Sequence, residues 1–133
     1  MSHQLPVKIY YEDTDAGGVV YHANYIKFCE RGRTEFLNAC GYKNSDIAEK
    51  LGVMFVVRHI DADYLKPAFL EDELTLTSTI KQMKNTSFIM QHILTKGADT
   101  IFIADVTLVC VTQNPVKPTK IPPVIREAFL DGS

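Results

Sequence analysis

Residues 11–25 read YEDTDAGGVVYHANY and join an extended segment to a helix through an acidic loop that contains two glycines. Asp13 and Asp15 lie two positions apart, so in an extended backbone their side chains are expected to point the same way. Gly17 and Gly18 allow the chain to approach a ligand or a neighbouring segment closely. The stretch therefore predicts two carboxylates that face the start of a helix.

The spacing of apolar residues predicts that this helix runs from Ala23 onward. The first turn of a helix offers unpaired backbone N–H groups and the positive end of the helix dipole. These groups can hold an anion or a carbonyl oxygen that gains negative charge. Paired aspartates before a helix also commonly cap turns and helix starts. The residue types alone therefore leave a catalytic and a structural interpretation of the pair open.

The full pattern, Tyr-x-Asp-Thr-Asp-x-x-Gly-x-Val-Tyr-x-x-x-Tyr over residues 11–25, resembles the signature of hotdog-fold acyl-CoA thioesterases of the 4-hydroxybenzoyl-CoA thioesterase-like family. Within that family the chain is most similar to the group encoded with the bacterial Tol-Pal envelope system. The similarity covers nearly the whole chain and includes Glu30-Arg31, Arg33-Thr34-Glu35, Phe55-Val56-Val57-Arg58 and Thr86-Ser87. It implies an α+β hotdog fold, in which an antiparallel sheet of about five strands wraps one long central helix. It also implies an enzyme that hydrolyses acyl-CoA to a carboxylic acid and coenzyme A.

The resemblance assigns roles to the loop residues. Asp15 matches the catalytic carboxylate, which attacks the thioester carbon or activates the water that does so. His22 matches a histidine that assists catalysis in the Tol-Pal-associated group, and its backbone N–H matches the donor that polarises the thioester carbonyl. Asp13, Gly17 and Gly18 are then expected to order the loop. A lone histidine at a helix start is otherwise a structural residue, although His22 can fold back across the glycines towards Asp15.

Substrate contacts are expected on other segments. Tyr25 is expected to face the acyl group, and the resemblance implies coenzyme A phosphates and pantetheine near Arg58, His59, Lys84, Thr86 and Ser87. A tyrosine in the apolar stripe of a helix is also a common core residue. Polar residues at strand ends and in turns are commonly solvated. Both interpretations of these positions stay open.

Two other functions are compatible with the fold. A hotdog hydratase also pairs an aspartate with a histidine, usually with Asn-Pro between them, and residues 15–18 lack that element. A non-catalytic hotdog domain can bind acyl-CoA or a partner, which intact Asp15 and His22 disfavour. No further histidine or cysteine cluster completes a metal site around Asp13, Asp15 and His22. A metal is therefore not expected. A separate cofactor is not expected either, because coenzyme A is part of the substrate.

Composition limits the classes of partner. The 133 residues are expected to form one domain, residues 1–133, with a net charge of −2 and no block of like charges, which disfavours nucleic acid. No apolar run approaches the roughly 20 residues that span a bilayer, and the start lacks the apolar stretch of a signal peptide. The three cysteines, Cys29, Cys40 and Cys110, are expected to be reduced core thiols. The protein is therefore expected in the cytoplasm.

Alternating polarity and turn residues predict the remaining elements. Strands are predicted at residues 4–11, 53–65, 73–83, 87–96 and 100–112. The main helix is predicted to have five turns, with apolar positions at Tyr25, Cys29, Gly32, Phe36 and Cys40, and close packing on the sheet is expected to compensate for Gly32. A short helix over residues 46–51 with Ser45 as its cap, an irregular surface tail over 114–123 and a last helix over 123–130 complete the chain.

The predicted sheet has edges and a second face that a symmetric partner commonly covers. The family joins two sheets edge to edge, which implies a homodimer that pairs again into a homotetramer. The active site is then shared between subunits. The Tol-Pal similarity also suggests phospholipid enzymes or envelope-associated proteins as partners.

Overall fold

Five strands form one antiparallel sheet in a computed structural model, which describes residues 2–130. The strands are β1 (Ser2–Lys8), β2 (Val53–Tyr64), β3 (Glu73–Met83), β4 (Ser87–Lys96) and β5 (Asp99–Thr112). Their order across the sheet is β1-β3-β4-β5-β2, so β1 and β2 are the edge strands. The predicted α+β architecture with five antiparallel strands is confirmed, and β3 and β4 have the predicted bounds.

The main helix, α1 (His22–Ala39), has 18 residues and packs on the inner face of the sheet against β1 and β3. Its buried side chains recur at helical spacing and include Tyr25, Cys29 and Phe36. The predicted close approach at Gly32 is confirmed. A Cβ built there would lie 2.5 Å from Cδ2 of Leu76 and 3.0 Å from Oγ of Ser78, so a larger residue fits only if these two side chains of β3 move.

Two local predictions are wrong. The first strand ends at Lys8 rather than at residue 11, because Tyr11–Asp13 forms a 3₁₀ turn. Ser45 does not cap the second helix but lies within α2 (Asn44–Asp46), which continues directly as a π-helical turn over Ile47–Leu51. The residue before α2 is Lys43, whose extended backbone marks the helix start and whose side chain makes no cap hydrogen bond.

The tail is held to the fold more firmly than predicted. The Thr119 N–H donates to the Cys110 carbonyl at 2.8 Å, and the Ile121 side chain is fully buried. The last helix, α3 (Pro123–Leu130), follows directly. Arg126 of α3 donates through Nη2 to the carbonyl oxygens of Lys84 at 2.6 Å and Asn85 at 3.2 Å. The end of the described chain therefore fixes the turn between β3 and β4.

Cys29 and Cys110 are free thiols. Cys29 and Cys110 are fully buried, as predicted, whereas Cys40 is half-buried. Burial raises the pKa of Cys29 to about 12 and that of Cys110 to about 11, so both thiols stay protonated at neutral pH.

Candidate active site

Asp15 lies at the start of a tight hairpin within the acidic loop. The Asp15 N–H donates to the Val19 carbonyl at 2.9 Å, and the Gly18 N–H donates back to the Asp15 carbonyl at 3.0 Å. Gly18 has a φ of +77°, the left-handed conformation that a three-residue hairpin needs at this position. The Asp15 carboxylate is exposed, and its Oδ1 accepts the Gly17 N–H at 2.9 Å. Main-chain geometry therefore holds this carboxylate at the surface.

Asp13 does not face the same way as Asp15, contrary to the prediction. Its side chain is 2% exposed because the 3₁₀ turn rotates it inward. There Oδ2 accepts the Tyr10 N–H at 2.9 Å, and Oδ1 accepts Nδ2 of Asn24 at 3.0 Å. The Asp13 carbonyl also accepts the Tyr21 N–H at 3.0 Å. Asp13 thus ties the loop to the first turn of α1.

The sequence interpretation missed Asn24. One signal was available: Asn24 precedes the buried Phe28 by four positions, so it lies on the core stripe of the helix. A polar side chain on such a stripe needs a hydrogen-bond partner, and the buried carboxylate of Asp13 provides it.

His22 is the first residue of α1, and its side chain is exposed. Its backbone N–H takes part in none of the loop and cap hydrogen bonds within residues 2–130, as expected for the first amide of a helix. The imidazole ring packs against the Tyr21 ring at a centroid distance of 4.4 Å. Tyr64, the last residue of β2, donates through its hydroxyl to the His22 carbonyl at 3.0 Å. No hydrogen bond within residues 2–130 joins the side chains of Asp15 and His22.

Tyr25 lies in the core, with 4% of its surface exposed. Its ring stacks on Phe102 at 5.0 Å and meets Tyr64 edge-on at 5.3 Å. The hydroxyl accepts the Ala68 N–H at 3.1 Å, and burial raises the pKa of the phenol. These contacts hold Tyr25 next to the loop, and its contact with an acyl group stays a prediction.

The predicted coenzyme A contacts fall into two groups. Arg58 and His59 are exposed on the edge strand β2, where the register shift between Val57 and His59 leaves Arg58 as the bulged residue. Lys84 is exposed in the turn between β3 and β4, whereas Thr86 is half-buried and Ser87 is 5% exposed. Within residues 2–130, no hydrogen bond between side chains joins the first group to the second.

Asp15 and the turn of residues 84–87 lie at opposite ends of the sheet. The Ile9 N–H donates to the Asp72 carbonyl, and Val19 forms an isolated β-bridge with Phe69. Because Phe69 and Asp72 directly precede β3, the acidic loop lies at the start of β3. The turn follows the other end of β3, which has 11 residues. A strand of that length spans roughly 33 Å. One chain therefore does not place Asp15 beside Thr86 or Ser87.

A cavity of about 490 Å³ lies between α1, the sheet and α3, and is called the α1–α3 cavity below. Four phenylalanines and five aliphatic or methionine side chains form most of its wall. The lining residues are Glu30, Arg33, Thr34, Phe36, Leu37, Asn44, Met54, Phe55, Val57, Phe88, Met90, Leu108 and Phe129. Its volume falls in the range of about 300–1,000 Å³ that is usual for small-molecule sites.

Within residues 2–130, no three histidine, cysteine, aspartate or glutamate side chains are grouped so that they could share a metal ion. None of the helices described there has the length and apolar character of a membrane span.

Comparison with known proteins gives consistent matches. The model of the Thioesterase-like superfamily matches residues 10–129. The acyl-CoA thioesterase YbgC of Haemophilus influenzae is 36% identical over 125 residues, which are 94% of this chain and 92% of that protein. A probable thioesterase from Bartonella henselae has a TM-score of 0.86 at 33% identity, over 92% of this chain and 100% of the other. The 4-hydroxybenzoyl CoA thioesterase of Pseudomonas sp. strain CBS-3 has a TM-score of 0.88 at 21% identity, over 96% and 98%, which confirms the predicted fold.

Proposed function

Because this chain belongs to the thioesterase-like superfamily, we propose that it is an enzyme that hydrolyses acyl-CoA to a free carboxylic acid and coenzyme A. The observation that carries the proposal is the exposed Asp15 carboxylate on a hairpin whose second arm runs directly into α1. One of its oxygens accepts the Gly17 N–H, and the other has no hydrogen-bond partner within residues 2–130. A carboxylate held in this way can act as a nucleophile or as a general base.

Asp15 can act through either of two balanced routes. In direct attack, a carboxylate oxygen bonds to the thioester carbon, the C–S bond breaks with its electron pair on sulfur, and water then hydrolyses the mixed anhydride. In general-base catalysis, Asp15 takes a proton from a water whose oxygen attacks the same carbon. The thiolate of coenzyme A leaves readily in both routes, and hydrolysis requires no redox cofactor because no oxidation state changes.

The first amide of α1 supports the charge that develops during attack. The thioester oxygen becomes negative in the tetrahedral intermediate, and the unpaired His22 N–H together with the helix dipole stabilises it. In acyl-transfer enzymes one such donor contributes about 3–4 kcal/mol. The His22 side chain is assigned proton transfer to or from the reacting groups.

A panel of acyl-CoA substrates with a thiol-trapping dye tests the activity. A thioesterase releases free thiol, whereas a hydratase or a binding module releases none. Single turnover in ¹⁸O-water then separates the two routes. Direct attack, followed by attack of water on the Asp15 carbonyl of the mixed anhydride, leaves a solvent oxygen in the Asp15 carboxylate, whereas general-base catalysis places it only in the product acid.

The complete site is proposed to form between two subunits. β2 is a 12-residue edge strand, and Val57 on it is 44% exposed. In an antiparallel pairing of two β2 edges, the Tyr64 end of one chain meets the Val53 end of the other. The Tyr64 hydroxyl donates a hydrogen bond to the start of α1, so the Tyr64 end of β2 lies beside the acidic loop. Ser87 and Val56 both pair with Val109, so the 84–87 turn lies at the Val53 end of β2. This pairing brings Asp15 of one chain to the same end as the 84–87 turn of its partner.

We also propose that two such dimers form a homotetramer in the cytoplasm. The free thiols of Cys29 and Cys110 suit a reducing compartment. The resemblance to the Tol-Pal-associated group suggests phospholipid enzymes or envelope-associated proteins as its neighbours in the cell.

A further inference from the structure

Arg33 brings a positive charge to the wall of the otherwise apolar α1–α3 cavity. Its Nη1 is buried and has no hydrogen-bond partner within residues 2–130. None of the three ion pairs described there includes it. Burial lowers the pKa of the guanidinium, yet an arginine side chain stays protonated in proteins. A charged group in this position therefore lacks the compensation that buried charges normally have.

The side chains around Arg33 offer it no paired negative charge. The Cys29 thiol is neutral because burial raises its pKa to about 12. His92 is neutral because burial, followed by the nearby Arg33, lowers its pKa to about 3. Glu30 lines the same cavity three residues earlier on α1 and favours the charged form of Arg33 from a distance. It is exposed and forms no ion pair with Arg33 within residues 2–130. The Arg33 guanidinium lines the cavity without an ion-paired or hydrogen-bonded partner within residues 2–130, so it is the positive charge that a ligand in the cavity meets.

Two properties of the wall define such a ligand. Phe36, Phe55, Phe88 and Phe129 offer aromatic surface that favours hydrocarbon. The guanidinium of Arg33 offers a planar set of N–H donors that matches a carboxylate better than any other common acyl substituent. A molecule that fits both is an acyl chain with an oxygen acceptor at its far end.

We propose that Arg33 determines substrate specificity by binding a carboxylate carried by the acyl group at a distance from the thioester. The hydrocarbon between the two groups then lies against the phenylalanines of the α1–α3 cavity. This inference rests on the proposed function, since the substrate is taken to be an acyl-CoA. It assigns the enzyme to CoA monothioesters of dicarboxylic acids rather than to those of unsubstituted fatty acids.

The wild-type enzyme provides the first test. At each of four, six and eight carbons, the kcat/KM is measured for three acyl-CoAs that end in a methyl, a hydroxyl or a carboxyl group. We expect the carboxyl substrate to exceed the methyl substrate by about 10- to 100-fold at the chain length that fits the cavity, the factor of a hydrogen bond to a charged group. The hydroxyl substrate is expected to lie between them. Equal rates at every length, or a preference for the methyl end, overturn the inference.

Two variants locate the effect. Arg33→Met keeps a long side chain without the charge, and we expect it to reduce the carboxyl-to-methyl ratio to about one by raising KM for the carboxyl substrate alone. Arg33→Lys keeps the charge and is expected to retain part of the preference. Arg31→Met is the matched control, because Arg31 is exposed on the same helix over the Phe28 ring and does not line the cavity. It should leave the ratio unchanged within about twofold.

The outcomes separate this inference from the proposed function. If Arg33→Met slows all substrates equally, Arg33 acts at the thioester end or on folding, and the specificity role is wrong. If the wild type releases no thiol from any substrate, the proposed hydrolysis is wrong. Calorimetric binding of the three eight-carbon acyl-CoAs to wild type and Arg33→Met then still tests Arg33, because loss of the carboxyl preference in binding supports the inference and identical affinities refute it.

Discussion

Asn24 Nδ2 donates to Asp13 Oδ1 at 3.0 Å in the buried space between the acidic loop and the first turn of α1. Asn24→Ala removes this donor and leaves part of a buried carboxylate unsatisfied. We expect a loss of about 1–3 kcal/mol in the free energy of unfolding, measured by urea denaturation. Asn38→Ala is the control, because Asn38 is exposed near the end of the same helix. Equal stability of both variants would show that the Asp13–Asn24 bond does not hold the loop.

Asp15→Asn is expected to keep the fold and substrate binding and to lose nearly all turnover, because an amide is neither a competent nucleophile nor a base. Asp13→Asn is expected to reduce stability more than turnover per folded molecule, because Asp13 is buried and bonded to Tyr10 and Asn24. Thiol release and thermal unfolding of both variants check this. Substantial turnover by the Asp15→Asn variant would show that Asp15 is not the catalytic carboxylate. Equal losses of turnover in the two variants would not distinguish a catalytic role of Asp15 from a structural one.

His22→Ala is expected to lower kcat by less than Asp15→Asn does, since the substitution leaves the backbone N–H of residue 22 in place. Thiol release under saturating acyl-CoA measures the effect. A kcat within about twofold of wild type would assign the side chain a structural role only.

Mixing two inactive chains tests the shared site. One carries Asp15→Asn and the other Thr86→Ala with Ser87→Ala. In a mixed dimer one site has both defects and the other has neither, so random exchange should restore about a quarter of wild-type activity. Mass spectrometry of isotope-labelled chains confirms that exchange has occurred. Absence of recovery in exchanged dimers would show that each chain holds its own complete site.

His92 is expected to make folding stability depend on pH. Burial, together with Arg33, lowers its pKa from 6.5 to about 3, so between these values the unfolded chain binds a proton that the folded chain does not. Stability therefore falls as the pH is lowered from 6.5 towards 3, by up to about 1.4 kcal/mol per pH unit. The difference in unfolding free energy between wild type and His92→Gln should become smaller as the pH is lowered through this window, and it should stay constant above pH 7. A constant difference throughout would contradict the prediction.

Local signals predicted the parts of the fold that depend on nearby residues. Alternation between Glu73 and Met83, ended by turn residues at 84–86, was enough to place β3 and β4. The same reasoning failed at Asp13, because extended spacing was assumed where a hydrogen bond from Tyr10 closes a turn. The prediction that Ser45 caps the second helix is wrong because the helix begins at Asn44, one residue before Ser45, after the extended Lys43.

The site was less predictable than the fold because its geometry depends on distant segments. Nothing in the sequence near Arg33 indicates that Phe88 and Phe129 will line the same cavity, since those residues come from β4 and α3. Nor does the 84–87 turn reveal that it lies at the opposite end of the sheet from Asp15. These relationships follow only from strand order and direction.

The hairpin that carries Asp15 is built from main-chain hydrogen bonds and glycines, and it shares no residue with the α1–α3 cavity. Substitutions in the cavity wall can therefore accumulate without moving the carboxylate. Evolution or laboratory selection can thus change which acyl groups the protein accepts without changing its catalytic carboxylate. Residues 10–25 would then be retained together as one unit.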